Sequence, residues 1–218
     1  MKIAVIGATG LVGNAVVQEL ASRGHEVTAF ARNTEKVFQA PNVAAVAADV
    51  NAPDFTAQLK GFDAVISAFN PGWDNPNLAA DFTRGADNIV AAAQAAEVPY
   101  LLVIGGAGSL NIAPGVQLVD TPDFPADIYP GANAARELLN RLRERCDVNW
   151  AFLSPAAMFA VNPVKLEKTG RYRTGADDVL LNADGSPADI ALPDLAAAIA
   201  DDAENRAHLF ERFTVAEV

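Results

Sequence analysis

Residues 2–13 read KIAVIGATGLVG, a short apolar run that ends in three glycines, Gly7, Gly10 and Gly13. The run is typical of a buried β-strand, and the apolar residues after it recur at helical spacing. In this order, such glycines allow a sharp turn, a close approach of backbone amides to a pyrophosphate, and tight helix–strand packing. The stretch therefore predicts a dinucleotide site at a helix N-terminus, although a glycine-rich turn without a ligand is the alternative.

The rest of the chain alternates apolar runs with helical patterns as far as residue 154. This alternation predicts parallel strands joined by right-handed crossovers. We therefore expect an α/β fold built on a Rossmann-type, doubly wound parallel sheet, with the ligand outside the carboxyl ends of its strands. After the first unit, strands are predicted at 25–30, 43–48, 63–68, 100–104 and 148–153, and helices at 33–39, 52–59, 78–96 and 132–145.

The pattern changes after Pro155. Two short strands are predicted at 170–173 and 179–182, followed by a helix at 193–205 and a last strand at 208–215. This tail is too short to form an independent domain. We therefore expect a single domain over residues 1–218, in which residues from about 156 to 218 form a small substrate-facing lobe.

Composition excludes several classes of function. The net charge of −11 argues against nucleic acid or an anionic membrane as the partner. No apolar run is long enough for a membrane span, and the N-terminus reads as a strand rather than a signal peptide. Cys146, the single cysteine, allows no intrachain disulfide, so we expect a reducing, cytoplasmic location. The histidines lack metal-ligand spacing, so no metal is predicted, and both monomer and homodimer remain open.

The end of the second strand distinguishes the two nicotinamide dinucleotides. An acidic residue there would bind the ribose 2′-hydroxyl of NAD, but this chain has Ala31, Arg32 and Asn33. The Arg32 guanidinium suits a phosphate, so NADP(H) is the preferred cofactor and NAD(H) a possible one. Alternatively, Arg32 is a solvated surface charge. Asp49, after the third strand, either binds the adenine amino group or caps a helix.

The predicted cofactor contacts share one feature: they lie where a predicted strand ends or in the turn that follows it. Trp73, after the fourth strand, either covers an aromatic substrate or forms a simple hydrophobic lid. The predicted contacts are Gly7, Thr9, Gly10, Leu11, Val12, Gly13, Arg32, Asn33, Asp49, Val50, Ala68, Phe69, Asn70, Gly105, Gly106 and Pro155.

Three segments carry a resemblance to a known family: GATGLVG at 7–13, ARN at 31–33 and GGAGSL at 105–110. Together they resemble the atypical short-chain dehydrogenase/reductases, in particular the NADH-flavin reductase group that neighbours the NmrA-like and biliverdin reductase B-like proteins. Segments within 150–156 and 170–186 are similar to the same group, so the resemblance spans nearly the whole chain. It implies an NAD(P)-binding Rossmann domain that reduces a flavin or a similar ring system.

The wider family uses a Tyr-x-x-x-Lys pair with a serine near the end of the fifth strand, which makes Ser109 and Tyr129 the candidate catalytic residues. However, Asn133 occupies the lysine place, and an uncharged amide cannot lower a tyrosine pKa electrostatically. Pro130 and Gly131 also argue against a helix through the pair. The alternatives are a plain loop hydroxyl at Ser109 and a pocket-lining role for Tyr129.

Reduction of a conjugated ring system does not need that pair, because hydride transfer between two stacked rings depends mainly on their alignment. The sequence thus favours an NAD(P)H-dependent oxidoreductase acting on a small, planar, aromatic acceptor such as a flavin or quinone. A non-catalytic NADP(H) sensor that binds a protein partner, as NmrA-like regulators do, is the alternative. The short tail and Asn133 argue against a sugar-nucleotide epimerase.

Overall fold

A computed structural model describes residues 1–161 and 163–218. Its strands are β1 (Lys2–Ile6), β2 (Glu26–Ala31), β3 (Val43–Ala47), β4 (Ala64–Ser67), β5 (Leu101–Ile104), β6 (Asn111–Ala113), β7 (Val116–Gln117), β8 (Trp150–Ser154), β9 (Arg173–Gly175) and β10 (Glu211–Ala216). Its helices are α1 (Leu11–Ser22), α2 (Phe55–Gln58), α3 (Leu78–Ala95), α4 (Tyr129–Arg143) and α5 (Leu192–Asn205). None of these helices is long and apolar enough to cross a membrane.

Eight strands form one sheet in the order β3-β2-β1-β4-β5-β8-β10-β9. Every neighbouring pair is parallel except β10 and β9. The order reverses between β1 and β4, which is the point where a doubly wound sheet opens a crevice for a ligand. The predicted α/β, doubly wound fold is confirmed.

Helices cover both faces of this sheet, and alternate residues of β1 enter two different cores. Ile3 and Val5 pack on the side of α1 and α5, whereas Ala4 and Ile6 pack on the side of α3 and α4. Strands buried on both faces have no polar side to show, which explains why they read as continuous apolar runs. The same burial holds the end of β1 in place under the glycine turn.

The last helix and strand of the tail join the main sheet rather than standing apart from it. β10 lies between β8 and β9, and α5 packs against α1. A buried contact ties α5 to the start of β5, where the Tyr100 hydroxyl donates to Asp202 at 2.6 Å. Burial and this carboxylate raise the pKa of Tyr100, so the hydroxyl keeps its proton. The tail therefore extends the carboxyl edge of the sheet. The prediction of a single domain stays a prediction.

Two predicted elements are wrong. Residues 33–39 form turns instead of a helix, because the Asn33 side chain accepts the Glu35 amide at 2.9 Å and so replaces the first helical bonds. The strand expected at 179–182 reduces to a single bridge between Leu181 and Pro187. The strand expected at 170–173 is shifted to β9, and the β6–β7 hairpin was not predicted.

Candidate functional site

A cleft of about 400 Å³ runs along the carboxyl ends of β1, β2, β3 and β4. It lies at the reversal point of the strand order, where a doubly wound sheet binds its ligand. Asn51, Asn75 and Arg84 also line it and were not predicted. The predicted cofactor residues that line this cleft are Gly7, Thr9, Gly10, Arg32, Asp49, Val50, Ala68, Phe69 and Asn70.

At one end of the cleft, Gly7 in the turn and Gly13 in α1 have no room for a side chain. Gly7 has φ +79°, and a Cβ on it would lie 2.4 Å from the carbonyl oxygen of Ala68. A Cβ on Gly13 would lie 2.2 Å from the carbonyl oxygen of Gly7. Both distances are far below any real contact, so the turn and α1 are pressed directly onto β1 and β4.

The N-terminus of α1 fits a phosphate ligand. Its N-cap residue is Gly10, which has no side chain that could accept a hydrogen bond from the helix amides. The first amides of α1 are therefore left without a side-chain acceptor beside the cleft. Leu11, half exposed, and Val12, partly buried, begin the helix but do not line the cleft. This end of the site suits a pyrophosphate held by backbone donors and the helix dipole.

Two guanidinium groups reach the other end of the cleft. Arg32, at the end of β2, is exposed and donates a long hydrogen bond to the carbonyl oxygen of Pro71 at 3.4 Å. Arg84, on α3, lines the same cleft and forms an ion pair with Asp81 at 2.8 Å. Asn33 lies just outside the cleft, in the turn after β2. The sequence did not predict Arg84, because its position in the cleft depends on how α3 packs.

Asp49 lies in the turn after β3, where its carboxylate accepts the Asn51 backbone amide at 2.9 Å and the Asn51 side chain at 3.0 Å. It does not cap α2, because that helix begins at Phe55 with Asp54 in the N-cap position. Its carboxylate instead forms part of the cleft wall, together with Val50.

The loop after β5 continues the carboxyl edge beyond the cleft. A Cβ on Gly105 would overlap the Phe152 ring at 1.9 Å, whereas the Cβ position of Gly106 is open. Pro155, partly buried, follows β8 on the neighbouring strand. The loop thus presents backbone rather than side chains where the nicotinamide end is predicted.

Ser109 lies at the end of this loop and is only 2% exposed. Its hydroxyl accepts a long hydrogen bond from Nη1 of Arg212, at 3.4 Å, and Ser154 accepts another from the same nitrogen at 3.4 Å. As placed, the Ser109 hydroxyl faces a buried cation instead of an open pocket.

Arg212, on β10, is the centre of a charged cluster. Its Nε donates to the Asp177 carboxylate at 2.8 Å, and the same carboxylate receives Arg143 of α4 at 2.7 Å. Burial lowers the pKa of the Arg212 guanidinium, while Asp177 opposes that shift. Asp177 therefore links β10 to α4 through two arginines. Nothing in the local sequence pairs Asp177 with β10.

The argument from Pro130 and Gly131 against a helix through Tyr129 and Asn133 is wrong. α4 begins at Tyr129 with Pro130 in its first turn, where a missing amide hydrogen costs no helical bond. Asn133 lies one turn further on, and its side-chain oxygen accepts Arg136 at 2.5 Å. Tyr129 thus has an amide rather than an ammonium group on the next turn.

A second, open pocket of about 440 Å³ lies beside Tyr129. Tyr129 is 41% exposed, and the Phe124 ring meets its ring edge-on with 6.4 Å between centroids. Trp73 is 62% exposed, and its ring packs on the backbone of Gly131, where an added Cβ would lie 3.1 Å from Cζ3.

In the described part of the chain, no group of three or more His, Cys, Asp or Glu side chains could hold a metal ion.

Known proteins share this architecture and sequence. YwnB, an uncharacterized protein of Bacillus subtilis (strain 168), is 41% identical over 218 residues, which cover 99% of this chain and 98% of YwnB. The crystal structure of a "putative epimerase" from Bacteroides thetaiotaomicron has a TM-score of 0.88 at 39% identity and covers 100% of this chain and 97% of its own. The crystal structure of a "putative NADH-flavin reductase" from Streptococcus pneumoniae TIGR4 has a TM-score of 0.86 at 34% identity and covers 100% of both chains.

A family described as NAD(P)H-binding matches residues 7–205, a span that begins at the glycine turn and includes every residue that lines the cleft except Ile6. With its glycine turn pressed against β4 and an uncapped helix N-terminus beside it, the chain belongs to this NAD(P)H-binding family.

Proposed function

We propose that this protein is an NAD(P)H-dependent oxidoreductase that prefers NADPH and reduces a planar, conjugated acceptor such as a flavin or quinone. The observation that carries the proposal is the cleft that joins a phosphate-binding glycine turn to Arg32. A guanidinium at the end of β2, in place of an acid, favours a 2′-phosphate over a free ribose hydroxyl.

Residues of the cleft and of the loop after β5 would divide the binding of the dinucleotide among themselves. Backbone amides of residues 7–10 and the start of α1 would bind the pyrophosphate, while Arg32 and Arg84 would flank the adenosine end. Gly105 and Gly106 would pass under the nicotinamide end without side chains in the way. When bound, NADPH supplies a hydride, which carries two electrons to the acceptor.

The proton balance of the reaction does not require a side-chain acid. Asn133 is engaged by Arg136 and carries no charge, so it cannot activate Tyr129 as an ammonium group would. A conjugated acceptor spreads the negative charge that arrives with the hydride, and water can then supply the one proton that completes the reduction. The buried Ser109 and the exposed Tyr129 would act by shaping the loop and the pocket. A direct catalytic role for either residue stays a prediction.

Stopped-flow oxidation of NADPH in the presence of riboflavin, a naphthoquinone and biliverdin tests this proposal. We expect turnover with at least one acceptor, and a lower KM for NADPH than for NADH. Bound dinucleotide without turnover on any acceptor would contradict the reductase. Turnover of a nucleotide sugar would instead favour the epimerase chemistry named for the Bacteroides thetaiotaomicron protein.

A non-catalytic NADP(H) sensor is the second candidate, because the Tyr129 turn has no lysine and the Ser109 hydroxyl is buried. A sensor would bind NADPH without turnover and capture a protein partner only in one cofactor state. Pull-downs with and without dinucleotide separate the two candidates. For either function we propose the cytoplasm as the compartment, on the evidence of a single, exposed cysteine.

A further inference from the structure

Neighbouring and packed segments link the dinucleotide cleft to the open pocket beside Tyr129, although the two have no described lining residue in common. Pro71 lines the cleft, and Trp73, two residues later, packs on Gly131 in the first turn of α4. A Cβ on Gly108 would lie 3.2 Å from the Ala132 Cβ and 3.3 Å from the Val119 Cβ. The loop after β5, residues 118–120 and the start of α4 therefore pack on one another, and the last two of these segments supply Val119, Asp120 and Tyr129 to the pocket.

The lining of this pocket suits an aromatic ring. Phe124 and Tyr129 meet edge-on, which leaves ring faces and edges available to a planar guest. Val119, Thr121 and Ala126 supply the remaining small or apolar surface. The Tyr129 side chain keeps its substantial exposure although its hydrophobic ring could have been buried.

The rim of the pocket is acidic. Asp123 and Asp127 are exposed and adjoin the lining residues Phe124 and Ala126 in sequence. Asp120 lines the pocket, and Arg136 binds both of its carboxylate oxygens, at 2.7 and 2.8 Å. The Arg136 guanidinium therefore neutralises the charge of Asp120 but not the charges of Asp123 and Asp127.

We propose that this pocket holds the ring of the acceptor and that its acidic rim selects uncharged or cationic ring systems over acceptors that carry a phosphate. The inference rests on the proposed reductase function and specifies its substrate class. A phosphate near Asp123 and Asp127 meets two like charges, whereas riboflavin and quinones meet none. Because the rim is exposed, the repulsion is screened by salt.

Riboflavin and its 5′-phosphate form the sharpest test, because they share a ring and differ by one phosphate. At low ionic strength we expect kcat/KM for riboflavin to exceed that for the phosphate ester by about three- to tenfold, the size expected for two exposed charges. The ratio should fall towards one in Asp123→Asn/Asp127→Asn and in 0.5 M salt, a concentration at which the screening length is about 4 Å.

Two further variants test whether the preference for riboflavin arises from the charges at the rim of the pocket. Glu97→Gln/Glu144→Gln removes the same number of charges at the opposite, amino-terminal edge of the sheet, after α3 and α4, and should keep the ratio. Phe124→Ala should weaken both flavins about equally, since it removes a ring contact and leaves the rim charges in place. A ratio of one in the unmodified protein, or a ratio unchanged by the double Asp→Asn variant, would overturn the inference.

Flavin fluorescence titrations on the NADP⁺-loaded protein separate this inference from the proposed function. If no acceptor oxidises NADPH but riboflavin still binds at least threefold more tightly than its phosphate, the reductase fails and the charge-selective ring site stands. If turnover occurs with no preference in rate or binding, the reductase stands and the acidic rim has no role in selection.

Discussion

The two ends of the carboxyl edge are built in different ways. The dinucleotide cleft begins with Ile6, Gly7, Thr9 and Gly10, which are close together in the chain, and backbone contacts leave no room for a Cβ on Gly7. The proposed acceptor end, beyond the cleft, gathers Ser109, Tyr129, Asp177 and Arg212 from distant segments, and the buried Arg212 binds Asp177 and Ser109. The first site depends on local steric fit, and the second on long-range charge pairing. Substitutions should therefore affect the two ends by different mechanisms.

The largest expected effect is at the glycine turn. Gly13→Ala would place a Cβ 2.2 Å from the carbonyl oxygen of Gly7, so α1 must move off β1. We expect a loss of about 3 kcal/mol or more in the free energy of unfolding, at or above the upper end for overpacking, because backbone cannot rotate away. Binding of both dinucleotides should be lost with it. Denaturant unfolding and titration calorimetry measure the two effects.

Gly24→Ala is the matched control for Gly13→Ala. Gly24 has φ +82° but no heavy atom within 4 Å of its Cβ position, so alanine there meets only backbone strain. That strain costs about 1–2 kcal/mol and should leave dinucleotide binding unchanged. Equal losses in the two variants would mean that close packing does not distinguish the glycine turn.

Substitution of Asp177 and substitution of Arg212 in the charged cluster should reduce stability by different amounts. Asp177→Asn leaves the Arg212 guanidinium buried beside a neutral amide, which we expect to cost about 2–3 kcal/mol of stability, below the range for fully buried pairs because Asp177 is half exposed. Arg212→Met leaves Asp177 partly in water and still paired with Arg143, so its cost should be about 1 kcal/mol smaller.

Thermal and denaturant unfolding of both variants test this asymmetry. Asp178→Asn serves as the control, since asparagine keeps the side-chain oxygen that accepts from Asn111 and should change stability by less than about 0.5 kcal/mol. A larger loss for Arg212→Met than for Asp177→Asn would show that packing of the arginine stem, rather than its charge, holds the acceptor end together.

The same contrast explains what the sequence could and could not predict. Gly7, Gly10 and Gly13 are adjacent to the strand and helix that they join, so their spacing alone predicted the turn, and Arg32 followed from the end of β2. Arg84 and Arg212 were missed because their partners lie across helix packing and strand order that one sequence does not display. The start of α4 was misjudged because proline opposes a helix interior but is tolerated in a first turn.

Cofactor preference gives a smaller, selective effect within the cleft. Arg32→Ala should weaken NADPH binding by about 1–3 kcal/mol, the cost of a lost charge-assisted contact to phosphate, and hardly change NADH binding. Calorimetry with both dinucleotides measures the difference. Equal losses for both would contradict the assignment of Arg32 to the 2′-phosphate. Arg84→Ala, measured in parallel, shows whether the second guanidinium shares that role.

The smallest expected effect is a pH dependence where the tail meets the first helix. Burial acts to raise the pKa of Asp201 in α5, but hydrogen bonds from Tyr172 and Arg23 outweigh it and hold that pKa below its usual value. A lowered carboxyl pKa contributes stability above the unfolded value of about 3.9, and that stability is lost as the pH falls below it. Because 42% of the Asp201 side chain is exposed, we expect only about 0.5–1 kcal/mol.

Unfolding free energies at pH 6 and pH 3 measure this contribution. Asp201→Asn should be less stable than the unmodified protein at pH 6 and should lose about 0.5–1 kcal/mol less on acidification, since its amide does not titrate. Parallel losses in the two proteins would show that Asp201 is not linked to acid unfolding. The Gly13→Ala penalty should be the same at both pH values, because a contact between a Cβ and a carbonyl oxygen has no proton to gain. The pH dependence of stability would therefore distinguish the charged contact of the tail at Asp201 from the steric contact at Gly13.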